Sequence, residues 1–304
     1  MAADSSRGLL AVGILLLLSQ VGEALSVHGD WHDAGWPWLL WAPTQALNFY
    51  HLHIPKVAGT SFREDAKLHL PHGADLLSTE GCYGMGPAKG RKTIVLFREP
   101  RDHVLSQYTH CASAPVHQSK NQDLGHDPLP DTFDKWVQAW RVELRLNKTT
   151  RAFSCYMPWD LQVHRMACNS ENPGAIKSRS WLKIDVQKAI KNMEEAEFVG
   201  LKEYYKESLC LLHAKFLKTL PKSCDCTDPS FNGTAISYQA HGVSEHSIMD
   251  YPKETRSAVD VVTKKDRLLY DFAARRFFKE LGDAEKAYKM KINCKPLPDF
   301  MSQV

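Results

Sequence analysis

"NFYHLHIPKVAGTSFRED", residues 48 to 65, sets an apolar run, Phe49 to Ile54, against a break at Pro55 and the turn Lys56-Val57-Ala58-Gly59-Thr60-Ser61. The run reads as a buried strand, and the residues from about Ser61 read as a helix. A strand that ends in a lysine, a glycine and two hydroxyl residues is built to receive an anion. Gly59 lets the backbone approach it, Lys56 supplies a point charge, and Thr60 and Ser61 supply hydroxyl donors. The order differs from a Walker A loop, because the lysine precedes the glycine, and this disfavours a nucleoside triphosphatase.

Working outward, the run "KTIVLF", residues 92 to 97, is a second β-rich apolar stretch of the kind buried in a parallel sheet. Arg98 follows it at once, Pro100 suits a helix start, and Ser106 falls where the helix brings it back towards the arginine. An arginine at a strand end can grip a phosphate through its bidentate fork. "ADLLSTE" reads as a further short strand, and Val104, Leu105 and Tyr108 predict a helix after Arg101. Residues 112 to 131 read as a loop. Phe133, Trp136, Val137, Trp140 and Leu144 recur at helical spacing as a core stripe. "DVQKAIKNMEEAE" predicts a helix, "FVGL" a short buried strand, and "EYYKESLCLLHAKF" another helix. Residues 220 to 250 look irregular, and "TKKDRLLYDFAARRFFKELG" predicts a closing amphipathic helix ending near Gly282. Strands alternating with helices imply a three-layer, P-loop-like α/β fold with a central parallel sheet flanked by helices.

The chain has 304 residues, 43% of them hydrophobic, enough for one α/β domain of about 250 residues. Its net charge of +3 is too small to imply a nucleic-acid partner. Residues 253 to 295 nevertheless carry twelve Lys/Arg against seven Asp/Glu, which suits either an anionic ligand or a solvated helix face. At the N-terminus, Arg7 precedes an apolar run from Leu9 to Leu18, with the small residues Gly22 and Ala24 after it. That pattern predicts a secretory signal peptide over residues 1–24, with a short signal anchor through residues 8–24 as the alternative. Residues 25–45, rich in Trp and Pro, read as a stem, 46–290 as the main domain and 291–304 as a tail. Eight cysteines point to disulfides in an oxidising lumen, with Cys155 and Cys168 as the local pair and Cys210 buried. Cys224 and Cys226 resemble half of a zinc site without its other half, so no metal is expected. Sequons at Asn147 and Asn232 suit the same compartment.

Two anion loops, each after an apolar strand, resemble those of a known family. "HIPKVAGTSF" is similar to the 5′-phosphosulfate loop, and "FREPRDHVLSQY" to the 3′-phosphate loop, of the Golgi carbohydrate sulfotransferases. The nearest resemblance is to members like the heparan sulfate 2-O-sulfotransferases. It extends through "AIKNMEEAEFVGLKEYYKESLCLL", "HGVSEH" and "DRLLYDFAARRF", and so covers residues 46 to 282. It implies 3′-phosphoadenosine 5′-phosphosulfate (PAPS) as sulfuryl donor, no metal, and a glycan or glycosaminoglycan-like hydroxyl as acceptor. The implied donor contacts are Pro55, Lys56, Gly59, Thr60, Ser61, Phe62, Arg98, Ser106, His241 and Gly242. Lys56 would act on the oxygen bridging phosphorus and sulfur.

One departure concerns the base. The nearest family members place a histidine after the second strand, whereas here that stretch reads "STEGCYGMG". Glu80 is the first candidate, with His69 and His72 of "KLHLPHG" next, and His53 reads as packed within its strand. The expected activity is PAPS-dependent O-sulfation of a glycan, at the Golgi membrane or in its lumen. The alternative is a catalytically inactive, sulfotransferase-like glycan-binding protein.

Overall fold

The computed structural model describes residues 47–113, 128–145, 156–168, 184–232, 247–298 and Met301. They belong to a compact unit beginning at Ala46. The expected leader and stem, the sequon at Asn147, Cys155, His241 and Gly242 lie outside the described residues.

Four strands form the sheet: β1 (Asn48–Leu52), β2 (Asp75–Thr79), β3 (Lys92–Phe97) and β4 (Phe198–Leu201). Their order is β2-β1-β3-β4 and every pairing is parallel. β1, β3 and β4 are apolar and buried almost throughout, as strands covered on both faces must be. β2 is an edge strand, only half-buried, and carries the polar pair Ser78-Thr79. Ser78 Oγ pairs with His51 Nδ1 at 2.9 Å, which gives the buried imidazole a partner inside the sheet.

Helices flank this sheet. They are α1 (Gly59–Lys67), α2 (Pro100–Ser113), α3 (Phe133–Arg145), α4 (Leu161–Ala167), α5 (Val186–Glu195), α6 (Tyr205–Leu217), α7 (Lys253–Val262) and α8 (Lys264–Tyr288). Residues of β1, β3, β4, α1, α5, α6 and α8 share one core. A second, aromatic core lies between α2, α3 and α7, where Tyr108, Phe133, Trp136, Trp140 and Trp159 meet. The described residues of the α3 stripe are buried there.

The helix expected to stop near Gly282 continues to Tyr288. No left-handed residue is required at Gly282, and the stop comes at Lys289, which has φ 52°. α4 and α7 are additions to the sequence reading. "LQVHRMA" buries its histidine and arginine along with its apolar residues, so it lacks a polar face to betray it as a helix.

The cysteines also depart from expectation. Cys168 pairs with Cys82, not with Cys155, and Cys210 is bonded to Cys224. Cys226 joins Cys294, which fastens the segment after α8 to the domain, with Ile292 buried beside it. Cys111 is oxidised as well. These bridges indicate an oxidising secretory or extracellular environment. Among the described residues, no three His, Cys, Asp or Glu side chains are grouped to hold a metal, and no helix is long and apolar enough to cross a membrane.

Candidate active site at the carboxyl ends of the strands

β1 has β2 on one side and β3 on the other, so the chain leaves β1 and β3 on the two sides of a crevice at their carboxyl ends. The first anion loop sits there. Lys56 and Ala58 both adopt left-handed backbone angles, φ 66° and 67°. Each such residue costs about 1 kcal/mol and persists only where its surroundings enforce it. Here the enforcement comes from the second loop. His103 Nε2 donates to Pro55 O at 2.7 Å, and Arg98 Nη1 donates to Lys56 O at 2.9 Å. Burial holds the His103 pKa down to about 3, so the ring is neutral and keeps its proton on the nitrogen that donates. Both carbonyls are thereby turned into the protein. α1 begins at once without a side-chain cap, leaving its first turn of N–H groups suited to an anion.

Gly59 has a packing role beside the one its sequence position implied. A Cβ there would lie 2.0 Å from the His53 ring, so the glycine makes room for that imidazole. His53 itself stands just beyond the last residue of β1, not within the strand. Burial and the cations Arg63, Arg165 and Lys56 hold its pKa down to about 4.

Lys56 is half-buried, and its ammonium makes no hydrogen bond or ion pair among the described residues. Burial and the nearby Arg98 push its pKa down, against the pull of Glu80. Arg98 is buried, and its backbone is clamped by Gln162 of α4. Its N–H donates to Gln162 Oε1 and its carbonyl accepts from Gln162 Nε2, both at 2.9 Å. Asp266 of α8 accepts from the backbone N–H groups of Gln162 and Val163, fixing the clamp in turn. Ser106 is buried on α2. Thr60 is half-buried, and Ser61 is buried. Phe62 belongs to the core, where its ring meets His51, Phe198 and Tyr205, and its N–H donates to Ala58 O.

Glu80 follows β2 at the same edge of the sheet. Its side chain is 45% exposed and lies 3.9 Å from Arg165 Nη2, while Arg165 Nη1 donates to Glu80 O at 3.3 Å. Partial burial pushes the Glu80 carboxyl up, opposed by Arg165 and then Lys56. Arg165 is buried on α4 and also feels Tyr156 and Tyr50. Tyr156 is pushed up to about 12, first by burial and then by Glu80. The sequence reading missed Arg165, and no local motif marks it.

His69 and His72 are not brought to this place. They lie in the connection from α1 back to the start of β2, at the amino-terminal edge of the parallel sheet. His69 is buried there against His213, Nδ1 to Nδ1 at 3.0 Å, and His72 is exposed. The site therefore assembles Lys56, Arg98 and Glu80 with His53, His103 and Arg165. No family model and no curated protein matches the chain.

Proposed function

We propose that the protein is a PAPS-dependent O-sulfotransferase acting on a glycan in the secretory pathway, in the Golgi lumen or at its membrane. The observation that carries this reading is the clasp between the two loops. Side chains of the β3–α2 segment hold the carbonyls of the β1–α1 turn, so one rigid unit presents Lys56, Arg98 and the first turn of α1. Such a unit suits a donor with phosphate at two positions, the 5′-phosphosulfate at the turn and the 3′-phosphate towards Arg98 and Ser106.

In the reaction, Glu80 accepts the proton of the acceptor hydroxyl, whose oxygen attacks sulfur in line. The new O–S bond forms as the bond from sulfur to the bridging oxygen breaks, and its electron pair stays on that oxygen. Adenosine 3′,5′-bisphosphate departs, and Lys56 meets the charge developing on it. Lys56 thus stabilises the transition state more than the ground state, which is the condition for acceleration. Partial burial of Glu80 makes it a stronger base than an exposed carboxylate, and Arg165 keeps it ionised. Positioning and charge neutralisation do most of the work, as in phosphoryl transfer.

Incubating the oxidised chain with radiolabelled PAPS and a panel of glycans tests this. Label should enter a glycan with the wild-type chain and not with Lys56→Ala. Glycan binding without transfer would point to the inactive glycan-binding alternative.

A further inference from the structure

Arg98 has a neighbour on its other flank. β3 and β4 pair with Phe97 opposite Leu201, so the next residues, Arg98 and Lys202, leave the sheet side by side at a strand spacing of about 5 Å. Lys202 opens a short 3₁₀ turn, Lys202–Tyr204. It is half-buried, yet its ammonium makes no hydrogen bond or ion pair among the described residues.

The groups around it are committed elsewhere. Glu203 accepts from the Glu99 N–H and from the Tyr270 hydroxyl, both at 3.0 Å. Asp102 accepts from the Ile248 N–H. Lys295 donates to Glu203 O and pairs with Glu207. Burial and then Arg98 push the Lys202 pKa down, with Glu203 and Asp102 opposing. An ammonium taken partly out of water beside another cation is unfavourable unless an anion joins it. A phosphomonoester dianion matches the pair, with Arg98 offering a planar fork and Lys202 a point charge.

We propose that Lys202 is a third cation of the donor site and closes with Arg98 on the 3′-phosphate of the nucleotide. The assignment rests on the nucleotide reading given above. Lys56, Arg98 and Lys202 follow β1, β3 and β4, three adjacent strands. Arg98 is central, so the 5′ group falls to the Lys56 side and the 3′ group to the Lys202 side.

Calorimetric titration of the full, oxidised chain with adenosine 3′,5′-bisphosphate, 5′-AMP and inorganic phosphate tests the assignment. In Lys202→Gln the bisphosphate should bind roughly ten- to a hundredfold more weakly, the loss expected for one charged hydrogen bond. Binding of 5′-AMP should stay unchanged, and Lys202→Arg should recover most of the loss. The melting temperature of the unliganded chain should not fall, since the repulsion between Lys202 and Arg98 is relieved. A wild-type chain that binds the bisphosphate beside a Lys202→Gln variant of equal affinity overturns Lys202 alone. Equal weakening towards both nucleotides does the same. Wild-type chain that binds neither nucleotide overturns the nucleotide reading and this assignment with it. Inorganic phosphate bound as tightly as the bisphosphate would mark a free-phosphate site instead.

Discussion

The two halves of the candidate site are held in place by different means. At the ends of β1 and β3, side chains from one loop grip the main chain of the other: His103 holds Pro55 O and Arg98 holds Lys56 O. At the end of β2, Glu80 depends chiefly on Arg165, through a long ion pair at 3.9 Å and one contact to its carbonyl. The first half is buried and clasped through the backbone; the second is partly open and held by charge. Under the proposed reaction, a donor common to every turnover suits the former, and acceptors of varied shape suit the latter.

The largest effect expected from this contrast is on Lys56. Lys56→Ala should lower transfer by about a hundred- to a thousandfold, with bisphosphate affinity changed far less. Steady-state assays beside calorimetry check it, and a loss confined to affinity would make Lys56 a mere anchor. Arg98→Ala comes next. It removes a charge and also releases the Lys56 carbonyl, so bisphosphate binding should weaken by roughly ten- to a hundredfold. An unchanged affinity would break the clasp as an account of the donor half.

Acid should damage the clasped half through His103. Its folded pKa, about 3, lies below the unfolded value of about 6.5, so the unfolded chain takes up a proton that the folded chain refuses. Stability from the neutral ring is complete above about pH 6.5 and drains away as pH falls towards 3. Between pH 7.5 and 5.5 the loss amounts to about 1.4 kcal/mol. Urea unfolding at pH 7.5 and 5.5 should show the decline, and His103→Gln should lessen it by about that amount. The remainder comes from His51, His53, His69 and His164, whose burial holds their pKa values down in the same direction. The open half predicts a smaller, kinetic effect. In Arg165→Met, Glu80 loses the cation that lowers its pKa, so the acid limb of the transfer profile should move to higher pH. An unmoved limb would remove Glu80 as the base. Smallest of all, His72→Ala should leave transfer unchanged, since that residue stands at the opposite edge of the sheet.

How much of this was legible beforehand follows the same divide. The turn around Lys56 and the strand-end Arg98 could be read because each is local, a handful of residues with a strong pattern. The parallel sheet was legible for the same reason, since "KTIVLF" and "FVGL" are short, apolar and bounded. Arg165 and Gln162 could not be found, because α4 reaches the strand ends only through tertiary packing. Cys168 was misassigned for a related reason. Proximity along the chain favoured Cys155, whereas the fold sets α4 beside the loop after β2. Lys202 was visible in "FVGLKEYY", but its neighbour Arg98 becomes apparent only through the pairing of β3 with β4.

The Cys82–Cys168 bridge, with a sequence separation of 86, has a consequence for biosynthesis. A chain emerging at roughly 5 to 20 residues per second would present Cys82 to an oxidising lumen about 4 to 17 s before its partner. Cys111 arrives in that interval and is the first thiol Cys82 can meet. Productive maturation therefore calls for delayed oxidation or for an exchange catalyst that reopens a premature Cys82–Cys111 link. Yield from a producing cell should track its isomerase supply more closely than its capacity to make the polypeptide.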